Sequence, residues 1–279
     1  HKDRLALIAA AQNVDALIVR NLTQVNDEVL TKASKLKVVG RLGVGLENIE
    51  LPACAKRNIK VIPATGANAE SVAEYVIGAA VALTRGFIPA TISTLKGEWP
   101  RPRFSSYHEF SGKTIGIVGF GSIGRVVAKK ANAFGLKCVA YDPALNGDEV
   151  ALQGFKVSLL SLNALLSQSD AVTLHLPLLP ETKGLFSKEV LNQMKPGACL
   201  INTARGGIVD ELALAESLRS GHLGGAALDV FSSEPAKDLN HFSGIENIIL
   251  TPHIAGVTRE SNDRVSQMIA DEVNLFLGA

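Results

Sequence analysis

"TIGIVGFGSIGRVVAKKANAFGLKCVAYD", residues 114–142, carries the strongest signal in the chain. An apolar run meets a glycine cluster, an amphipathic stretch follows, and a second apolar run ends at Asp142. Gly119, Gly121 and Gly124 stand in G-x-G-x-x-G spacing, weak by itself but placed here between a strand pattern and a helix pattern. Gly119 permits a tight turn, Gly121 lets a pyrophosphate approach the backbone, and Gly124 lets the helix lie close to the sheet. The N–H groups and dipole at the helix start favour that anion. Asp142 would accept hydrogen bonds from the ribose hydroxyls of an adenosine. A carboxylate there repels a 2′-phosphate, and neither Pro143 nor Ala144 could bind one, so the expected cofactor is NAD.

Short β-rich runs continue on both sides of this stretch. Those at 16–19, 37–40 and 60–62 precede it, and those at 171–176, 198–202, 225–230 and 247–250 follow. Stretches of helical length separate most of them, which means βαβ units and parallel sheets. Residues 70–87 form a helical run apolar on most faces, suited to a core or a subunit interface. Residues 97–104, with the one Trp and two prolines, read as an extended connection, either an arm onto a partner subunit or a surface loop.

The length, 279 residues, suits two domains, and 47% apolar with 20% charged residues is ordinary globular composition. A formal net charge of +1 gives no electrostatic case for nucleic acid or an anionic membrane. No window approaches the ~18 uninterrupted apolar residues of a membrane helix. Cys54, Cys138 and Cys199 are far apart, without metal-ligand spacing, so no metal site is expected and a reducing, cytoplasmic setting is.

NAD binding does not name a reaction. Three polar residues do more: Arg205 after the run 198–202, Glu234 in "DVFSSEP", and His253 in "TPHIAG". All follow strand patterns, and ligands of open parallel sheets bind beyond the carboxyl ends of strands. Hydride transfer to a 2-oxo acid needs a cation to hold the carboxylate, which the planar fork of arginine does well. It needs a proton donor for the developing alkoxide, which histidine supplies. A carboxylate beside that histidine would orient it and favour its charged form. Taken singly, each residue also fits a loop or surface position.

The blocks "GFGSIG", "YDP", "HLPLLPETKGL", "INTARGGIVDE", "AALDVFSSEP" and "TPHIAG", in this order, resemble the D-2-hydroxyacid dehydrogenase family over nearly the whole chain. "ALIVRN", "VVGRLGVGLENIE" and "NAESVAEYVIG" are most similar to its D-3-phosphoglycerate dehydrogenases and their hydroxypyruvate and sulfolactate relatives. The resemblance implies that Arg205 binds the substrate carboxylate, His253 is the acid/base and Glu234 tunes it. It implies NAD contacts from Ser122, Ile123, Thr203, Ala204, Arg205, Asp229 and His253, with Asp229 on the carboxamide. Backbone N–H groups of Gly43, Val44 and Gly45 would bind the substrate carboxylate. Arg20 and Arg41 stand where relatives bind a distal phosphate, though surface arginines paired with acids are the alternative.

The expected fold class is α/β, with two doubly wound parallel-sheet domains. A smaller flavodoxin-like substrate domain takes 1–66 and 257–279, and a Rossmann-type NAD domain takes 67–256. The chain opens at His1 within a helical pattern, so the family's first strand is expected to be missing, and regulatory domains beyond Ala279 likewise. The expected activity is reversible NAD-dependent oxidation of a D-2-hydroxyacid bearing a second anion, in a homodimer built on 70–104. A hydroxypyruvate/glyoxylate reductase is the alternative, and an NAD-sensing corepressor a more distant one.

Overall fold

The computed structural model describes residues 3–278, so His1 and Lys2, where the helical pattern was expected to open, lie outside the described residues. Two compact units form, one from the segment up to Asn68 together with that from Val257, the other from Ala69–Gly256. The chain passes between them just after the expected border. Ala67 still belongs to the first unit, because it is buried in that core and its carbonyl accepts a hydrogen bond from Arg264 Nε at 3.0 Å.

In the first unit, α1 (Arg4–Ala11), β1 (Ala16–Val19), α2 (Asp27–Lys32), β2 (Val38–Arg41), α3 (Leu51–Lys56) and β3 (Lys60–Pro63) follow in order. The strands pair in parallel in the order β1-β2-β3, with Val19, Arg41 and Pro63 aligned at their carboxyl ends. The last helix of the chain, Arg259–Leu277, returns to this sheet. Thr258 caps it by accepting from Ser261 N at 3.0 Å, and Val265, Ile269 and Val273, one turn apart, bury against Val38 and Ala64.

The second unit opens with α4 (Ala69–Thr84) and α5 (Phe87–Leu95), bent 60° from each other. The single helical run expected over 70–87 breaks here, because Gly86 takes a left-handed φ of +64° with the Tyr107 ring against it. The segment expected to be extended over 97–104 instead ends in a helical turn, α6 (Arg101–Phe104), with Pro102 in the first-turn position that tolerates it.

Then come β4 (Thr114–Val118), α7 (Ser122–Ala133), β5 (Lys137–Tyr141), β6 (Glu149–Leu152), β7 (Phe155–Leu159), α8 (Leu162–Gln168) and β8 (Ala171–Leu174). α9 (Lys188–Leu191), β9 (Cys199–Asn202), α10 (Glu211–Arg219), β10 (Gly225–Leu228) and β11 (Ile248–Leu250) complete the unit. The eight strands lie in the order β11-β10-β9-β8-β4-β5-β7-β6, parallel except for β6. β8, β9 and β10 are buried throughout, as central strands of a covered parallel sheet are. α7 buries Gly124, Val127, Ala128 and Ala131, at helical spacing, and the last three share one core cluster with Val72, Val76 and Ala80 of α4.

β6 and β7 escaped the sequence reading. They form an antiparallel hairpin at the sheet edge, with more and less exposed residues alternating and a turn at Gly154, φ +84°. A search for apolar runs finds central strands and passes over such edges.

Candidate active site

The order of strands reverses between β4 and β8, and the glycine turn sits there, at the end of β4. Such a switch point is where open parallel sheets take their ligands. Gly119 has φ +94°, and a Cβ on it would come within 2.4 Å of the His175 carbonyl oxygen. A Cβ on Gly124 would meet the Gly119 carbonyl oxygen at 2.3 Å, so strand end and helix start press together. Gly121 differs: among the described residues nothing lies within 4 Å of a Cβ built there. That opening fits the approach of a pyrophosphate to the backbone, with Ser122 and Ile123 in the first turn of α7. Asp142 is held at the end of β5, accepting from Phe120 N at 2.8 Å and Ala144 N at 2.9 Å. Thr203 and Ala204 are buried in the turn after β9, and among the described residues Thr203 Oγ1 has no hydrogen-bond partner, a polar atom suited to a ligand. These residues fit NAD.

Three adjacent strands, β9, β10 and β11, bring the other groups to the same end of the sheet. Arg205 follows β9. Asn202, 1% exposed, braces its turn, donating from Nδ2 to Arg205 O at 3.0 Å and accepting from Ala204 N at 3.0 Å. Arg205 itself is half-buried, one guanidinium nitrogen donating to Ala204 O at 2.7 Å. The next residue crosses the loop after β10 so closely that a Cβ on Gly206 would fall 1.7 Å from the Phe231 carbonyl oxygen. Only glycine permits this crossing, and it ties the Arg205 turn to the Glu234 loop.

Glu234 bridges two loops. Its Oε1 accepts from Phe231 N at 3.1 Å and its Oε2 from His253 Nδ1 at 2.7 Å. A carboxylate only accepts, so Nδ1 carries the hydrogen and Nε2 is left to meet a reactant. His253 is half exposed and has φ +57°, unusual for a residue with a side chain. Its N–H donates to Asp229 O at 2.8 Å. The Asp229 carboxylate is 1% exposed and accepts from Thr251 Oγ1 at 2.6 Å and from Ile254 N and Ala255 N at 2.7 Å. A residue expected on the cofactor carboxamide is thus also the clamp of the histidine turn.

Two supporting residues were missed from sequence. Asn202 reads there as the polar end of a strand, and Glu211 as an acidic first-turn residue of a helix. Glu211 Oε1 in fact accepts from Ser232 N at 2.7 Å, holding the loop that carries Glu234. Only the fold shows what they hold.

The first unit holds the remaining expected residues. Among the described residues the Val44 and Gly45 N–H groups make no hydrogen bond, whereas Gly43 N is bonded to Arg41 O at 2.7 Å. Arg20 is exposed. Arg41, expected beside a distal anion, is 8% exposed and turned into its own loop. It donates to Leu42 O at 2.5 Å and to Asn48 Oδ1 at 3.3 Å, and Asn48 in turn donates to Arg20 O and Thr23 O at 3.0 and 2.7 Å.

Residues 77–255 match the family model described as D-isomer specific 2-hydroxyacid dehydrogenase, NAD binding domain. The (S)-sulfolactate dehydrogenase of Chromohalobacter salexigens is 50% identical over 276 residues, covering 99% of this chain and 89% of that protein. The D-3-phosphoglycerate dehydrogenase of Mycobacterium leprae is 42% identical over 275 residues, 99% of this chain. The chain spans about half of that enzyme's length, 51%. Among solved structures, the NAD-dependent formate dehydrogenase of Staphylococcus aureus in complex with NAD superposes with a TM-score of 0.81, at 35% identity. That match covers 98% of this chain and 82% of the formate dehydrogenase chain.

Proposed function

Because the chain belongs to the D-isomer specific 2-hydroxyacid dehydrogenase family, we propose that its substrate is a 2-hydroxyacid with a second anionic group, of sulfolactate or 3-phosphoglycerate type. The protein is an NAD-dependent oxidoreductase, and NAD supplies the acceptor for the hydride that leaves C2 of the hydroxyacid. His253 Nε2 takes the hydroxyl proton in oxidation and returns it to the alkoxide in reduction. Glu234 keeps the ring in the tautomer that leaves Nε2 unprotonated before oxidation. Arg205 grips the carboxylate with two parallel N–H groups. The 2.7 Å contact between Glu234 Oε2 and His253 Nδ1 carries this reading.

The second anion rests on exposed Arg20, with Arg41 as the brace of the 42–48 loop and Val44 and Gly45 N–H groups as carboxylate donors. The half-exposed Phe87 and the exposed Leu95 and Trp99 support a homodimer built on the 70–104 segment. Three free cysteines support a reducing, cytoplasmic setting. Among the described residues no single helix is long and apolar enough to cross a membrane.

The test is kcat/KM for (S)-sulfolactate, 3-phosphoglycerate, glycerate and lactate, each with NAD. One charge-assisted contact is worth ~1.5–3 kcal/mol, so a doubly anionic substrate should win by roughly 10- to 100-fold. Arg20→Ala should remove most of that advantage while glycerate turnover holds. Wild-type preference for glycerate or lactate would instead indicate a simple hydroxypyruvate/glyoxylate reductase.

A further inference from the structure

We propose that Tyr75, from a helix far from the catalytic loops in sequence, is a positioning residue for the reaction, acting through Thr251 and Asp229 on His253. The proposal rests on the reading of His253 as the acid/base. Tyr75 Oη lies 2.6 Å from Thr251 Oγ1, and Thr251 Oγ1 lies 2.6 Å from Asp229 Oδ1. The proton order in this chain is fixed by valence. Asp229 as a carboxylate only accepts, and Thr251 has one hydroxyl hydrogen, which goes to Asp229. Tyr75 therefore donates to Thr251. Burial raises the Tyr75 phenol above its ordinary value, and the Asp229 charge adds to this against the lowering bond with Thr251, so Tyr75 keeps its proton.

The geometry makes Asp229 a clamp across the turn that presents His253. On one side its carboxylate holds the side chain two residues before the histidine. On the other it holds the N–H groups of the two residues after it, Ile254 and Ala255. The turn needs such a clamp, because His253 holds a left-handed φ of +57°, which is unfavourable for an L-residue with a side chain. Tyr75 anchors the clamp to α4, which is packed into the core along with β9 and β10. Among the described residues Oδ2 accepts one bond, from Ala255 N, and keeps a lone pair for a ligand amide. One buried carboxylate thus serves both the histidine turn and the cofactor side of the site.

The experiment compares Tyr75→Phe, Thr251→Val and Thr251→Ser with wild type and His253→Ala, using (S)-sulfolactate and NAD. A second readout, independent of turnover, is hydrogen exchange at the Ile254 and Ala255 amides. Tyr75→Phe keeps the ring, so folding and melting temperature should hold. Its kcat should fall about three- to tenfold with KM for NAD within twofold, and both amides should exchange about tenfold faster. Thr251→Val should lose more, and Thr251→Ser should recover most of that loss. Wild-type kcat or unchanged amide exchange in Tyr75→Phe overturns the proposal, as does a loss of kcat matched by a loss of melting temperature. Retained turnover in His253→Ala would instead overturn the acid/base reading itself, so the two failures are told apart.

Discussion

His253 and Glu234 lie nineteen positions apart in the chain, yet Nδ1 of one donates to Oε2 of the other at 2.7 Å. Each is held from a separate direction. Phe231 N and the Glu211–Ser232 contact hold the glutamate loop, and the buried Asp229 carboxylate holds the histidine turn. The pair is therefore placed by two independent loops and not by flexibility of either side chain.

His253→Ala should lower kcat by roughly 10²–10⁴, the usual loss for a general acid/base, while NAD affinity stays within about twofold. Glu234→Gln retains an oxygen for the Nδ1 hydrogen but loses its charge, so its kcat should fall between wild type and His253→Ala. Single-turnover kinetics with fluorescence titration of NADH separate the two quantities. Full activity in His253→Ala would remove it from the chemistry.

Arg205→Lys keeps the charge and discards the two-pronged geometry. KM for the hydroxyacid should rise at least tenfold, about 1.4 kcal/mol, and kcat should fall as well. NAD binding without substrate should barely change. A KM within twofold of wild type means that Arg205 does not anchor the carboxylate.

Asp142 is pinned by two backbone N–H groups, so it cannot easily swing away from a 2′-phosphate. NAD should be preferred to NADP by on the order of a hundredfold, the size of a like-charge contact costing several kcal/mol. Asp142→Ala should narrow that ratio by weakening NAD. Comparable kcat/KM for both cofactors in the wild type would falsify the assignment.

His175 follows β8 beside the glycine turn. The residue is half-buried, but its ring nitrogen Nδ1 is fully enclosed without a partner among the described residues, and Nε2 lies 3.0 Å from Thr173 Oγ1. Enclosure of the ring pushes its pKa down from 6.5 to about 3. Between those values the unfolded chain holds a proton that the folded chain does not. Stability contributed by the neutral ring is thus complete above pH 6.5 and is lost progressively as pH falls towards 3. The slope is at most roughly 1.4 kcal/mol per pH unit. Denaturant melts of His175→Gln against wild type from pH 7 to 4 should show a flatter profile in the variant, and parallel profiles count against this account.

Much of this was legible in the chain. Gly119, Gly121 and Gly124 state their own steric demands, and the alternation of apolar runs with helical spacing states the parallel sheet. Arg205, Glu234 and His253 could be selected because strand ends are where such a sheet exposes chemistry, and the resemblance to a family gave them roles. These are local properties, written within a few residues of where they act. The edge hairpin of β6 and β7 was less legible, because an edge strand needs no apolar run.

Other features depend on register and on contacts between distant segments. Nothing near Asn202 or Glu211 says which loop each will brace, and nothing near Tyr75 says that it will meet Thr251, 176 positions later. Arg41 shows the same limit from the other side. In sequence it is an arginine after a strand, as Arg20 is, yet packing turned it into its own loop at 8% exposure while Arg20 stayed exposed. Periodicity and steric need are encoded locally and can be read from the chain. Whether a charge is buried, and which group satisfies it, depends on which strands lie side by side, and that is set by the packing of the whole unit.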